Sequence, residues 1–529
     1  QKKMKSLNYY LIFAIVFNFL FIACHTPDRI KDDRDLSETE YSLLNLAATD
    51  ALGRRIEVSS GNKKGTHYIG VFYSLWLGQH RSQQHGIYDI SKLLVANPKA
   101  LYNPQGTSES PLHEYHFWGE PLYGYYSMSD PWIITRHIEL LCNAGIDYLC
   151  IDATNNVVYK EPAENLFKIL IQFQKQGFII PKIAFYTNTQ SGITVDTLYN
   201  WFYKSGKYES LWFKPKGKPM IIGITENNNK ASDMTKYFPS FNDFIKPEMK
   251  AYFDVRESQW PNGEYNKEAI PWMSWQYPQW NHNGSVAVPV AQHSHSVTYV
   301  SSMHPECSRG YNNVTKQVEK DWTAGANFQT MWDAVFSSKE AINHVLVTSF
   351  NEWMAIKYAK EDGTVFFVDV FNPEFSRDIE MMKGGYNDNF YLELVRNVRN
   401  FKLERAKHYR YPLQTIKIHQ ATEENWDNVK ATYVDPSGDA IPRNYVNAVG
   451  TDRYIDKSNR NDITKIKIAH DRKNVYFMIK TKDIISFHNG HDVNWMNIFI
   501  STSRNPSFEG YNYVINRKPN KKGFTSIEK

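Results

Sequence analysis

The sequence predicts an α/β protein, a (β/α)8 barrel followed by a smaller all-β sandwich. Three observations carry that prediction. Eight short apolar, strand-like runs succeed one another between residues 65 and 410, helix-like segments separate several of them, and from about 411 the pattern changes to polar turns between alternating strands. A chain of 529 residues also exceeds one ordinary domain, whereas a single α/β barrel absorbs roughly 250 residues or more.

Met4-Lys5 precedes the apolar run "LIFAIVFNFLFIA", 13 residues interrupted by one Asn, and Cys24 follows it. That run is too short to cross a bilayer comfortably and has the make-up of a signal peptide over residues 1–24. Ala23 before Cys24 resembles a lipobox, which predicts cleavage there and a lipid anchor on Cys24, although Phe21 stands where Leu is usual. Ordinary secretion and a buried first helix are the alternatives. "HTPDRIKDDRD" follows at once and makes 25–64 a solvated tether.

The eight runs are "HYIGVFYSLWL" near 67, "DYLCIDAT" from 147, "KIAFYTN" from 182, "KPMIIGIT" from 218, "AYFDVRES" from 251, "WMSWQYP" from 272, "VAVPVAQ" from 286 and "HVLVTSF" from 344. Between the first two, Asp130 can cap a helix, Pro131 suits its first turn and Gly145 ends it; 194–206 reads the same way. No Gly-rich phosphate loop follows any strand, which disfavours a doubly wound sheet. The loops at 78–129 and 354–388 exceed mere connectors and belong at the functional face. Beyond the barrel at 65–410, "KIKIAHD", "NVYFMIKTKD" and "NWMNIFIST" predict a sandwich over 411–529.

Composition narrows the function. Lys and Arg total 61 against 56 Asp and Glu, a net charge of +5 with no basic stripe, which argues against a nucleic-acid partner. Fourteen Trp, 34 Tyr and 30 Phe are enough to build a core and still line a cleft. Besides Cys24, Cys142, Cys150 and Cys307 lack metal or disulfide spacing and read as buried thiols. His113 and His116, with Glu114 and Glu120 nearby, and the pair His293 and His295 lack the HExxH spacing; no metal or other cofactor is expected.

Catalytic groups of such barrels come from the C-terminal ends of strands. That filter selects Asp152, Glu257 and Glu352, and glycosidic hydrolysis needs two such carboxyls. A salt bridge or loop cap is the plain alternative for each. Asn351 and Trp353 beside Glu352, with Tyr73, Trp118, Tyr126, Tyr186, Trp275 and Gln276, are candidates to hold a sugar, since rings with polar tips stack on sugar faces; core packing is the competing reading for any one ring.

The ordered set "GYYSMSDPWIITRHIELLCNAGIDYLCIDATN", "GANFQTMWDAVF" and "VLVTSFNEW", spanning about 65–405, resembles the glycoside hydrolase family 71/99-like proteins of Bacteroidetes. "FVDVFNPEFSRDIEMMKGGYNDNFYLELVRNVRNFK" is similar to the tail of that group's catalytic domain. The resemblance implies a retaining, endo-acting hydrolase, with α-mannosides the substrates of the best-known branch. It also implies that Glu352 takes the proton of the sugar 2-hydroxyl. The family's second Glu, its general acid/base, is replaced here by Ala355. Another acid, Glu257, Asp152 or Glu361, then supplies the proton; or the reaction is an elimination from a uronic acid by a polysaccharide lyase; or the barrel is a surface glycan-binding lipoprotein without turnover. The segment from "NRNDITKIKIAHDRKNVYFMIKTKDI" to "NWMNIFIST" resembles a family 9-like carbohydrate-binding module, with Trp426 and Trp495 as candidate stacking rings. The expected partner is a poly- or oligosaccharide, contact with a membrane runs only through Cys24, and the sequence does not specify an oligomeric state.

Overall fold

A computed structural model describes residues 10–16, 37–82, 84–226, 243–261, 263–293, 304–406, 411–492, 494–502, 511–519 and 525–529. The expected lipidation site Cys24 and His295 lie outside the described residues. The chain divides into two compact units, one formed by 55–406 with 443–455, the other by 1–54, 407–442 and 456–529.

The larger unit is the predicted (β/α)8 barrel. Its strands are β1 (Tyr68–Tyr73), β2 (Tyr148–Ala153), β3 (Lys182–Thr187), β4 (Met220–Gly223), β5 (Asp254–Gln259), β6 (Ala269–Pro271), β7 (Ser285–Pro289) and β8 (His344–Thr348). They pair in parallel in the order β6-β5-β4-β3-β2-β1-β8-β7, leaving a seam without strand pairing between β6 and β7 among the described residues. Outside the sheet run α1 (Pro131–Ala144), α2 (Lys160–Lys175), α3 (Ser191–Leu198), α4 (Pro247–Tyr252), α5 (Ala326–Phe336) and α6 (Asn389–Lys402). The predicted caps of α1 hold: Asp130 accepts the Trp132 N–H at 3.0 Å, Pro131 opens the helix, and Gly145 ends it at φ 75°. The sixth strand differs from expectation. "WMSWQYP" is not the strand; the three residues before it are, because β6 runs out at Pro271 and the aromatic run turns into the loop toward β7.

Parallel strands alternate their side chains, so residues in register share a face. Asp152, Tyr186, Ile222 and Arg256 form one such row, and it points inward with Phe72, Cys150, Ala184, Ile270, Ala287 and Leu346 of the lumen core. Lower in the lumen the Tyr148 ring stacks on Phe213 at 4.3 Å and its hydroxyl meets His344 Nε2 at 2.8 Å. Gly70 makes room for it, since a Cβ there would lie 2.1 Å from the Tyr148 ring.

Both long loops fold over the strand ends. The first supplies the strand Tyr115–Phe117, which pairs antiparallel with Met354–Ala359, itself paired with Val365–Phe367. A later hairpin, Arg443–Val446 with Arg453–Asp456, was expected in the sandwich; residues 443–455 group instead with the barrel. Arg443 Nε donates to Asp130 at 2.8 Å, and the Tyr125 N–H donates to the Tyr454 hydroxyl at 2.8 Å.

In the smaller unit, Thr432–Val434, Ile463–His470 and Asn474–Thr481 form a sheet whose edge is Tyr10–Val16, from the run expected to be a signal peptide. A second sheet holds Ile498–Ile500, Tyr513–Ile515 and Ile527–Glu528. Phe477 and Ile515, with Ile468, Val475, Ile498 and Ile500, pack between the two, giving the sandwich its core. Within the expected tether, helix Glu38–Asn45, with a Ser37/Glu40 capping box, packs on Thr432–Val434, and Asn45 Nδ2 donates to Lys430 O at 2.9 Å. Ser59–Asn62 pairs with Leu403–Arg405. No helix of the described residues is long and apolar enough to cross a membrane.

Candidate active site

At the C-terminal end of the barrel, carboxyls from three places act on one another. Asp152 ends the inward row of β2, Glu352 follows β8, and Asp369 and Asp378 come from the loop between β8 and α6. Burial, with Asp369, Asp378 and Asp152 close by, lifts the Glu352 carboxyl well above its ordinary range, while Arg377 opposes the rise. The Arg377 Nη2 stands 3.8 Å from Glu352 Oε2, and the Glu352 side chain keeps 12% of its surface exposed. Asp369 behaves oppositely. Burial alone would raise it, yet the His293 imidazole, with Nε2 2.8 Å from Oδ1, and the Arg377 guanidinium hold it below the ordinary carboxylate value. Its side chain is 34% exposed, and its backbone takes a left-handed φ of 67°, with its carbonyl accepting from Arg377 Nη1 at 2.5 Å.

Asp152 is raised by burial, against two hydrogen bonds from Thr154 at 2.9 and 2.7 Å, and Asp369 raises it further. Tyr115 and Tyr159 stand beside these acids. Burial pushes Tyr115 up to about 12, with Tyr358, Glu352 and Asp152 adding to it; burial and then Asp152 and Tyr115 raise Tyr159. The Tyr159 hydroxyl meets His80 Nε2 at 2.7 Å, and burial lowers His80. On the far side Trp272 lies between Arg377, 5.2 Å from its ring, and His293, 5.9 Å between centroids.

Several residues predicted for the site have other positions. Glu257 pairs in register with Gly223, one residue out of phase with the inward row, and its carboxylate accepts from Thr225 N at 3.2 Å and from the Thr225 hydroxyl. It is therefore turned away from Glu352. Tyr73, Trp118, Tyr126, Tyr186, Trp353 and Asn351 are fully buried and offer no face to a sugar. Their polar atoms have interior partners. Tyr126 OH and Trp353 Nε1 both donate to Glu380 Oε2 at 2.6 and 2.5 Å, Tyr73 OH meets His137 Nδ1 at 2.8 Å, and Trp118 stacks on Trp353 at 4.1 Å. Tyr186 OH bonds backbone of β5 and β6, and Asn351 pairs its amide with both backbone groups of Ser74 at 2.9 Å. Trp275 is half-buried and Gln276 exposed beyond β6.

Ala355 is buried opposite His116 in the small sheet over the barrel, and Glu361 is exposed near the turn of the same sheet. His113 is exposed against Tyr358 while His116 bonds Ser110 and the Glu114 carbonyl, so the two imidazoles do not converge. Glu120 pairs with Lys92 and Lys383, both at 2.6 Å. Cys142, Cys150 and Cys307 are free thiols, all raised by burial.

Asp369, Arg377 and Asp378 escaped the sequence filter because they lie on a loop and not at a strand end. The signal available was Asp369 itself, an acid set inside "VFFVDVF" in a loop already expected at the functional face. His293 was visible only as a loop histidine two residues from His295.

In the smaller unit Trp426 is fully buried in a core with Ile416, Val429 and Met478, so it does not serve as a stacking ring. Trp495 is half-buried and borders a concavity of about 430 Å³ with Ser458, Arg460, Asp492 and Asn494. Its indole N–H is taken by Ser486, at 2.8 Å to the carbonyl, and Arg460 pairs with Asp492.

No protein-family model matches the chain, and no curated protein matches it. Among solved structures, a GH99 endo-alpha-mannosidase from Bacteroides thetaiotaomicron aligns over 63% of this chain and 97% of its own, at 16% identity and a TM-score of 0.35. The same enzyme with bis-tris-propane gives 14% identity and a TM-score of 0.33 over the same shares. A glycoside hydrolase-like protein aligns over 65% of this chain and 95% of its own, at 12% identity and a TM-score of 0.31. At that level the barrel assignment rests on the strand order above.

Proposed function

We propose that the protein is a glycoside hydrolase acting on a poly- or oligosaccharide, with Glu352 as proton donor, Asp369 as the ionised carboxylate and Asp152 beside them. The observation that carries this reading is the opposite tuning of two neighbouring carboxyls at the barrel mouth, Glu352 upward and Asp369 downward. Neighbouring acids pushed apart in this way divide the work of acid and base. Asp369 thus offers a second carboxyl that Ala355 cannot, and Glu352 keeps its proton for the leaving oxygen instead of taking one from a sugar hydroxyl. Tyr115 and Tyr159 supply hydroxyls beside these acids. The motif resemblance makes α-mannans and α-mannose oligosaccharides the first substrates to try.

Release of reducing ends from a panel of bacterial, plant and host glycans tests the reading. Glu352→Gln and Asp369→Asn are each expected to lower kcat by ~10²–10⁴. Full activity in either variant would remove that residue from the mechanism. A product with a new ultraviolet absorbance would identify a lyase, and retention of glycans with no product a binding protein.

The same reading has the chain exported, with lipid on Cys24 after removal of 1–23, which takes away the edge strand Tyr10–Val16 and leaves Asn474–Thr481 as that edge of the sheet; palmitate labelling of wild type but not of Cys24→Ala is the expected result. It also assigns the concavity beside Trp495 to a sugar ring, since an indole face flanked by Arg460, Asp492 and Asn494 suits stacking with hydrogen bonds to hydroxyls.

A further inference from the structure

The segment Arg377–Glu380 runs alongside the end of β8 and holds it at several points. Ser349 N donates to Arg377 O at 2.9 Å, and Ile379 N and Glu380 N both donate to Phe350 O, at 3.2 and 2.9 Å. Two acids of this strap grip the residues that matter for Glu352. Asp378 Oδ1 accepts the backbone N–H of Glu352 itself at 2.5 Å, and Glu380 accepts the Trp353 indole N–H. Trp353 in turn stacks on Trp118, whose indole N–H donates to Glu352 O at 2.8 Å. The Glu352 peptide is thus bound from both sides, its N–H by Asp378 and its carbonyl by Trp118.

Asp378 is fully buried. A carboxylate whose only task was to accept one N–H could be an amide or a hydroxyl at lower desolvation cost. The groups that face it are Arg309 from the loop between β7 and α5, which donates Nη1 to Asp378 O at 2.7 Å, together with Arg377, Tyr386 and the hydroxyl of Ser349. Those that face Glu352 are Asp152 from β2, Tyr115 from the loop before α1, and Asp369, Arg377 and Asp378.

We propose that Asp378 is a positioning residue for Glu352, holding its backbone N–H through one oxygen and setting a buried negative charge beside the Glu352 carboxyl. This rests on the reading of Glu352 as proton donor. Burial pushes Asp378 up to about 6, against the Glu352 N–H and the two arginines. Once ionised, Asp378 is one of the charges that raise the Glu352 carboxyl. Removing the Asp378 charge therefore makes Glu352 easier to deprotonate.

The test uses Asp378→Asn, whose carbonyl can still accept the Glu352 N–H, and Asp378→Ser as a smaller variant that also keeps an acceptor. Infrared difference spectra against Glu352→Gln isolate the protonated carboxyl band of Glu352, and its loss is followed with pH. In both variants the band should disappear at a pH lower by about one unit. Where wild type turns over a glycan, the alkaline limb of kcat should move down by the same amount with KM nearly unchanged. A Glu352 band that titrates as in wild type in both variants overturns the proposal. The infrared titration needs no substrate, so it decides the role of Asp378 even if no glycan is cleaved, and an absent turnover would count against the hydrolase reading alone.

Discussion

Glu352 and Asp369 both lie on the segment that follows β8, and their surroundings push them in opposite directions. Burial and neighbouring acids raise Glu352; His293 and Arg377 lower Asp369 although it is half-buried. The pH dependence of turnover follows from those signs. A lowered Asp369 stays ionised until the pH falls below the usual aspartate range, so the acid limb lies below pH ~4. A raised Glu352 keeps its proton well past the usual glutamate value, so the alkaline limb lies far above it. Profiles of kcat/KM are expected to be broad bells, and Glu352→Gln should flatten the alkaline limb in its residual activity. Glu257→Gln, by contrast, should leave the profile and kcat within about twofold of wild type, since its carboxylate is spent on Thr225 and faces away. A tenfold fall with Glu257→Gln would return that residue to the site. The sequence placed Glu352 and Asp152 correctly near strand ends, but the inward or outward sense of an acid depends on strand register, which no stretch of residues around Glu257 discloses.

Among the elements, the strands were legible where they are long and apolar on both faces, as parallel strands between helices must be. β6 was not, because three residues carry no periodicity and the aromatic run after it imitates a strand. Aromatic residues at strand ends misled for a physical reason: an indole or phenol can be buried once its polar atom finds a partner, and Glu380 provides partners for two of them at once. The lumen obeys the same close packing. Gly70 lies under the Tyr148 ring, and Gly70→Ala is expected to destabilise the barrel by roughly 1–3 kcal/mol through overpacking. A cycle with Tyr148→Ala checks the cause by denaturant unfolding. If the ring is what the new methyl strikes, the double variant loses less than the sum of the single ones; additive losses would locate the strain elsewhere.

At the scale of the whole molecule, two units with separate cores each present polar groups beside aromatic rings, the carboxyl cluster in the barrel and the Trp495 concavity in the sandwich. If both bind sugar as proposed, a polymer offers rings to each while a short oligosaccharide fills one, so the contribution of the sandwich should depend on substrate length. Truncating Trp495 removes the ring but leaves Arg460, Asp492 and the β-sheets in place. Trp495→Ala is therefore expected to weaken retention of a polysaccharide in affinity electrophoresis roughly tenfold, about 1.4 kcal/mol. It should raise KM for the polymer and leave kcat on a short oligosaccharide unchanged. Trp426→Ala supplies the contrast, because that ring is wholly buried with Ile416 and Met478 and its loss should lower the unfolding midpoint of the sandwich. If Trp495→Ala leaves retention unaltered while the sandwich stays folded, the concavity is not a sugar site, and the barrel alone accounts for any hold on the polymer.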